Sequence, residues 1–166
     1  MKKIAITGSP NVGKSVLFNG LTHTYNAVVS NYPGTTVEVT SGKVRIGSYE
    51  FEIVDTPGMY SLYPITEEEK VARSILLDRS VCLILHVIDA KNLERMLGLT
   101  MQLQEAGLNV ILVLNIMDEA RKLGISIDID ALEKELGIPV AATVSTTGEG
   151  LDSLRGKIED YVRKIS

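Results

Sequence analysis

The sequence predicts an α/β fold, in which a mostly parallel six-stranded sheet carries one antiparallel edge strand and is flanked by helices. Three observations predict it. Short apolar runs alternate with helical patterns along the chain. One stretch, "VEVTSGKVRIGSYEFEIVD", alternates apolar and polar residues about Gly47-Ser48, which is a hairpin signal. Finally, "GSPNVGKS" at 8–15 stands between a strand-like and a helix-like segment. That is the setting in which G-x-x-x-x-G-K-[ST] forms a phosphate loop.

Each element has its own signal. Residues 3–7 read as a strand and 14–22 as a helix. Residues 23–36 read as irregular, and are long enough to suggest a functional loop. The hairpin follows. "TEEE" at 66–69 is a capping box, with Thr66 as N-cap and Glu69 at N3, opening a helix that runs to about residue 78. Then come a strand at 81–88, a helix at 91–106 stopped by Gly107, a strand at 109–115 and a helical turn within 116–125. "DALEKELG" at 130–137 suggests a second capping pair, Asp130 and Glu133, and a terminal Gly137. A strand at 140–144 and a helix from Leu151 to Ile165 complete the order. In that helix Leu151, Leu154, Ile158, Val162 and Ile165 form one apolar stripe, expected to pack on the sheet rather than on a membrane or partner.

Composition narrows the function classes. The chain has 166 residues and reads as a single domain, 1–166, with no repeat or internal linker. At 45% hydrophobic and 23% charged it resembles an ordinary soluble globular domain. A net charge of −4 gives no general attraction for nucleic acid or anionic lipid. The longest apolar run, "VCLILHVI", is far short of the ~20 residues of a bilayer span and reads as a buried strand. No signal peptide is read, because Gly8 and Pro10 interrupt the apolar start. The lone Cys82 is expected as core filler in a reducing compartment. His23, in a loop, and His86, in a buried strand, are isolated and are not expected to bind metal.

The phosphate loop carries the first chemistry. Gly8 and Gly13 let the backbone turn its N–H groups toward phosphate oxygens, and Ser9, Pro10, Asn11, Val12 and the following Val16 complete the wrap. Lys14 is expected to bridge the β- and γ-phosphates and Ser15 to offer its hydroxyl to Mg²⁺. "NIMD" at 115–118 follows the fifth strand. Asp118 can accept from guanine N1–H and the 2-amino group, donors that adenine lacks, so an ATP complex would leave a desolvated carboxylate unpaired. Asn115 would brace the base and the neighbouring loop. A lysine often stands in this motif with its stem over the base. Here the position is Ile116 or Met117, depending on alignment, so weaker affinity and fast GDP release are expected. "VSTTGEG" at 144–150 would supply a backbone N–H near Thr146 to guanine O6, with Ser145 shaping the turn. In "NYPGTTVEV" Thr35 and Thr36 both qualify to complete the Mg²⁺ shell when a γ-phosphate is present. In "DTPGMYSL" Asp55 would hold Mg²⁺ through a water and the Gly58 N–H would contact the γ-phosphate. Met59 stands where many such switches place a water-orienting glutamine, and a thioether cannot polarise a water well.

Together "GSPNVGKS", "NYPGTTVE", "DTPGMYSL", "DAKNLERMLGLTMQLQEAG" and "NIMD" resemble the N-terminal G domain of the ferrous iron transporter FeoB family, over residues 3 to 160. The resemblance implies a P-loop NTPase of the Ras-like G-domain type, hydrolysing GTP slowly. It makes Thr36 the expected magnesium ligand, with Thr35 as the fallback. It also implies activation by K⁺, held by Asn11 in the phosphate loop and by backbone carbonyls around Ser30 and Tyr32. No arginine lies in the phosphate loop or in 23–36 to supply the finger, worth roughly 10³–10⁵ in rate, that other GTPases use. The catalytic set so implied is Asn11, Lys14, Thr36 and Gly58. Family members continue into a helical regulatory domain and a transmembrane domain that passes Fe²⁺, which would put this domain on the cytoplasmic side of the cell membrane. A stand-alone GTPase of ribosome or tRNA maturation shares "PGTT" and "DTPG", but usually adds a basic RNA-binding domain. A nucleotide-dependent binding module without hydrolysis is favoured only by Met59.

Overall fold

The computed structural model describes residues 1–22 and 27–165. β1 (Lys3–Thr7) leads through the phosphate loop into α1 (Lys14–Thr22). β2 (Val28–Asn31), β3 (Glu38–Ile46) and β4 (Tyr49–Asp55) follow, then α2 (Glu67–Leu76) and β5 (Val81–Asp89). A 3₁₀ turn, Ala90–Asn92, opens α3 (Leu93–Glu105). β6 (Val110–Asn115), α4 (Met117–Lys122), α5 (Ile129–Leu136), β7 (Val140–Ala142) and α6 (Leu151–Ile165) complete the chain.

The described residues form a seven-stranded sheet in the order β2-β3-β4-β1-β5-β6-β7. β1 runs parallel to β4 and β5, and β5, β6 and β7 are mutually parallel. β3 is antiparallel to both its neighbours. The α/β class is as expected, and the sheet gains a strand. β2 lies inside the stretch read as irregular and takes the edge, which leaves the antiparallel strand second from the edge. All four β2 residues are exposed. The strand therefore has no buried face, and no alternation for a sequence pattern to reveal; its main-chain pairing with β3 holds it.

Alternation along β1 separates the two faces of the sheet. Ile4 and Ile6 join the cluster of Phe18, Phe51, Leu154 and Ile158, beneath α1 and α6. Ala5 faces the cluster of Val71, Ile75, Leu99 and Leu103, beneath α2 and α3. In α6 the expected stripe buries Leu154, Ile158 and Val162, packs Leu151 at the margin and leaves Ile165 exposed.

Helix starts follow cap chemistry. Thr66 Oγ1 accepts from the Glu69 N–H at 3.1 Å, and the Glu69 carboxylate accepts from the Thr66 N–H at 3.2 Å, which is the expected capping box. At α5 the expectation is corrected. Asp128, two residues before Asp130, is the N-cap and accepts from the Ala131 N–H at 3.0 Å. Glu133 points away from the cap, accepting from the Val140 N–H at 2.9 Å and from Lys157 at 2.7 Å. Gly137 ends the helix in the left-handed conformation, as expected.

Candidate nucleotide site

The carboxyl ends of β1, β4 and β6 and the loop after β7 converge at one end of the sheet. This is where open α/β sheets place their ligands. The phosphate loop is fixed there by close approaches. A Cβ on Gly8 would lie 2.3 Å from the Val87 carbonyl oxygen, and one on Gly13 would lie 2.3 Å from the Asn115 amide nitrogen. Both glycines also sit at positive φ, 152° and 88°, so no side chain is tolerated at either. Asn11 takes a left-handed φ of 67° and is exposed, whereas Val12 is buried. Because α1 begins at Lys14, the loop presents a helix N-terminus with its free N–H groups.

Among the described residues Lys14 Nζ reaches only the Ser9 carbonyl, at 3.5 Å. Burial lowers its pKa, opposed by the charge of Asp55; burial raises that of Asp55, opposed by the Ser15 hydrogen bond and by Lys14. Both groups are thus held with less charge compensation than they can use. Ser15 Oγ donates to Asp55 Oδ2 at 3.0 Å, while the buried Asp55 Oδ1 has no partner among the described residues. A hydroxyl and a carboxylate with one orphaned buried oxygen form a hard-oxygen pair that fits Mg²⁺.

The base end is more completely built. Asn115, the last residue of β6, is 2% exposed. Its Nδ2 donates to the Val12 carbonyl at 2.9 Å. Its Oδ1 accepts from the Thr143 hydroxyl at 3.0 Å and from the Ser145 N–H and hydroxyl at 3.1 and 2.9 Å. One side chain therefore joins the phosphate loop to the loop after β7. A cavity of about 370 Å³ opens beside it, and Asn11, Gly13, Val16, Asp118, Ser145 and Thr146 all line it. Ile116 lines it too, at a left-handed φ of 61°, unusual for a β-branched residue. Met117 does not serve the site as expected. Its side chain is buried with Leu112, Leu114 and Val144, because it opens α4 with its N–H turned to the Thr143 carbonyl, at 3.2 Å. Ile116 therefore holds the position over the cavity. Arg121 pairs with Glu149 through two bonds of 3.1 and 2.5 Å, linking α4 to the loop after β7.

The switch end is looser. Thr35 Oγ1 donates to the Tyr32 carbonyl at 2.9 Å and accepts from the Val37 N–H at 3.1 Å, so its hydroxyl is committed to a turn. Thr36 is exposed, and its hydroxyl has no partner among the described residues. Of the two threonines, Thr36 is the one free to act. Ser30, Tyr32 and Asn11 are the residues expected around potassium. The Tyr32 carbonyl already takes the Thr35 N–H at 3.0 Å as well as its hydroxyl. Ser30 is paired with Val39 in the β2–β3 ladder. Both line a groove with Lys3, Val54 and Ile75, whereas Asn11 lines the base cavity.

Gly58 packs on the phosphate loop, where a Cβ would lie 2.9 Å from Pro10. Met59 is not an idle substitute for glutamine. It is fully buried among Val71, Leu99 and Leu103, and its N–H donates to the Gly8 carbonyl at 2.9 Å. Gln102 of α3, to which sequence reasoning gave no role, accepts from Ser61 and from the Leu62 N–H. Its only sequence signal is a polar residue between the buried Leu99 and Leu103. His86 is buried against Thr100, at 2.8 Å, and burial lowers its pKa to about 3. Cys82 is half-buried against the core, and burial raises its thiol pKa. His23 lies outside the described residues. Among the described residues there is no three-member His, Cys, Asp or Glu cluster suited to a metal, and no helix is long and apolar enough to cross a membrane.

Residues 2–158 match the sequence family described as ferrous iron transport protein B. The chain belongs to the FeoB family. It is 42% identical over 167 aligned residues to the Fe(2+) transporter FeoB of Escherichia coli K12, covering 97% of this chain and 22% of that protein. The chain therefore spans about a fifth of the length of this curated FeoB relative. The cytosolic domain of Thermotoga maritima FeoB in a GDP form superposes with a TM-score of 0.93 at 44% identity, over 99% of this chain and 64% of that one. The G domain of the same T. maritima protein superposes at 0.90 and 43% identity, covering 98% of this chain and 99% of that one. The fold is thus that of a FeoB G domain, a P-loop GTPase type.

Proposed function

We propose that this domain binds GTP and hydrolyses it to GDP and phosphate, and that its nucleotide state regulates ferrous iron uptake by a parent transporter. The observation that carries the reading is the Asn115 bridge. A single buried side chain ties the phosphate loop to a cavity edged by Asp118, so phosphate binding and base reading form one site. Asp118 would pair with guanine N1–H and the 2-amino group, a match adenine cannot make. Lys14, whose pKa burial lowers, would gain counterions in the β- and γ-phosphates. Ser15, Asp55 and Thr36 would hold Mg²⁺, which when bound draws charge from the phosphate oxygens. The Gly58 N–H would meet the γ-phosphate, and main-chain groups of the switches would place the attacking water.

Potassium activation is part of the proposal: the exposed Asn11, with main-chain carbonyls around Ser30 and Tyr32, would hold the ion. By analogy with the relatives, a helical regulatory domain and a transmembrane domain of the parent chain are the proposed partners, with this domain at the cytoplasmic side of the membrane. Multiple-turnover phosphate release tests the reading. Hydrolysis of GTP but not ATP is expected, at about 10⁻⁴–10⁻² s⁻¹, as for intrinsic GTPases. Equal turnover of the two nucleotides, or none, would refute it. Equal rates in K⁺ and Na⁺ would remove the potassium element only.

A further inference from the structure

The segment from Met59 to Ile65 is tethered in an unusual way. Of its large apolar side chains only Met59 and Leu62 meet the core, while Tyr60, Tyr63 and Ile65 are 69%, 79% and 87% exposed. Upstream, Thr56 is locked to β1, its N–H and its hydroxyl both donating to the Ile6 carbonyl, at 3.1 and 2.7 Å. Met59 is anchored in the core and to the Gly8 carbonyl. Beyond it two polar side chains reach in from other elements: Glu69 of α2, which accepts from the Ile65 N–H at 3.4 Å and also bonds the Tyr60 main chain, and Gln102 of α3, which holds the stretch between them. The Gln102 Oε1 accepts the Leu62 N–H at 2.7 Å and the Ser61 hydroxyl at 3.1 Å, and Ser61 in turn accepts the Tyr63 N–H at 3.1 Å. Gln102 stands on rigid ground, because Leu99 and Leu103 on either side of it are buried in the same cluster as Met59. Gly58 is thus suspended between fixed points, with Thr56 on one side and Met59 and the Gln102 pair on the other.

We propose that Gln102 is a positioning residue for GTP hydrolysis: by holding Ser61 and Leu62 it sets the height of the Gly58 main chain over the phosphate loop. The proposal rests on the GTPase reading above. It assigns to α3 the work that a water-orienting glutamine does elsewhere. Met59 is turned into the core, so no side chain at that position can align a water. Main-chain groups can do so only if the loop is held still before the reaction, and preorganised dipoles are effective for that reason. Misplacement by about 1 Å at a reacting centre can cost on the order of a hundredfold.

The test compares wild type, Gln102→Met, Gln102→Glu and Ser61→Ala. Gln102→Met keeps the shape and removes the acceptor; Gln102→Glu keeps an acceptor for both donors. Expected are a kcat lower by about tenfold for Gln102→Met with KM for GTP and affinity for a fluorescent GDP analogue within about twofold, recovery of most of that loss in Gln102→Glu, and a loss of about threefold in Ser61→Ala. Hydrogen exchange should quicken at the Leu62 amide in Gln102→Met and stay unchanged at Asn115. A Gln102→Met enzyme with wild-type kcat, or equal losses in the Met and Glu variants, would overturn the positioning role alone. Absence of GTP turnover by wild type would overturn the functional reading and the positioning role with it. If Gln102→Met does not fold, Ser61→Ala decides: a wild-type kcat there overturns the proposal.

Discussion

Asn115 and Thr36 stand at opposite ends of one site, and they differ in how many partners the fold has already given them. Asn115 is buried and uses both ends of its amide, joining Val12, Thr143 and Ser145 before any ligand arrives. Thr36 is exposed with its hydroxyl unengaged, while its neighbour Thr35 is spent on a turn. The frame that would recognise the base is therefore complete without nucleotide, whereas the parts that would sense the γ-phosphate still have to be gathered. Under the proposed function, a site so divided would read which nucleotide it holds with its preassembled part, and how many phosphates it carries with the part still to be gathered. Substitutions in the frame should cost stability, and those in the switches should cost ligand response.

The largest effect is expected from Asn115→Ala. It leaves the Val12 carbonyl and the Ser145 N–H without a partner in a buried setting, at about 1–3 kcal/mol per orphaned group. Chemical denaturation without nucleotide should show a loss of about 3–5 kcal/mol. A loss below about 1 kcal/mol would mean that the frame is not preassembled. Met59→Ala comes next. It is a switch residue by sequence but a core residue by burial, so about 2–5 kcal/mol of stability should go while turnover at low temperature changes little. A kcat loss as large as that of Asn11→Ala would place Met59 in the chemistry after all.

His86 offers a test of the frame through pH. Its folded pKa is lowered from 6.5 to about 3 by burial, so between those values the unfolded chain binds a proton that the native chain does not. Stability should be full above pH 6.5 and fall as the pH drops from there toward 3, by up to about 1.4 kcal/mol per pH unit from this residue. Denaturation midpoints measured across that window, with a His86→Gln variant that lacks the slope, would verify it. The smallest stability effects belong to the switch threonines. Thr35→Ala should cost about 1 kcal/mol through its turn. Thr36→Ala should leave denaturation unchanged and weaken only the binding of a GTP analogue in Mg²⁺. The reverse pattern would exchange the roles of the two threonines.

Much of the frame was legible in the sequence because its rules are local. The glycines of the phosphate loop, the Thr66–Glu69 box and the alternation on both sides of Gly47 each carry their meaning within a few residues. What escaped depends on contacts between distant segments. β2 has no buried face, and pairing alone makes it a strand. Asp128 and Asp130 offer the same chemistry two residues apart, and only the backbone of Asp128 is extended for a cap. Met59 looked like a missing glutamine because burial cannot be seen in the residue after a glycine. Gln102 lies 40 positions from Leu62, beyond any spacing rule. The hydrogen bond that the Tyr32 carbonyl accepts from the Thr35 hydroxyl is likewise invisible in sequence, since a main-chain oxygen carries no residue signal of its donors.

The tight fit between Gly13 and Asn115 has one more consequence. With no room for a methyl group between them and a 2.9 Å bond from Asn115 to Val12, the distance from base pocket to phosphate loop is fixed by the length of one short side chain. That contact works as a gauge. A longer residue at 115 would separate the two halves, and any side chain at 13 would eject the amide that measures the gap. The second glycine of the phosphate motif would thus be needed even in a protein that never met a phosphate, because it calibrates the span across which a nucleotide is laid.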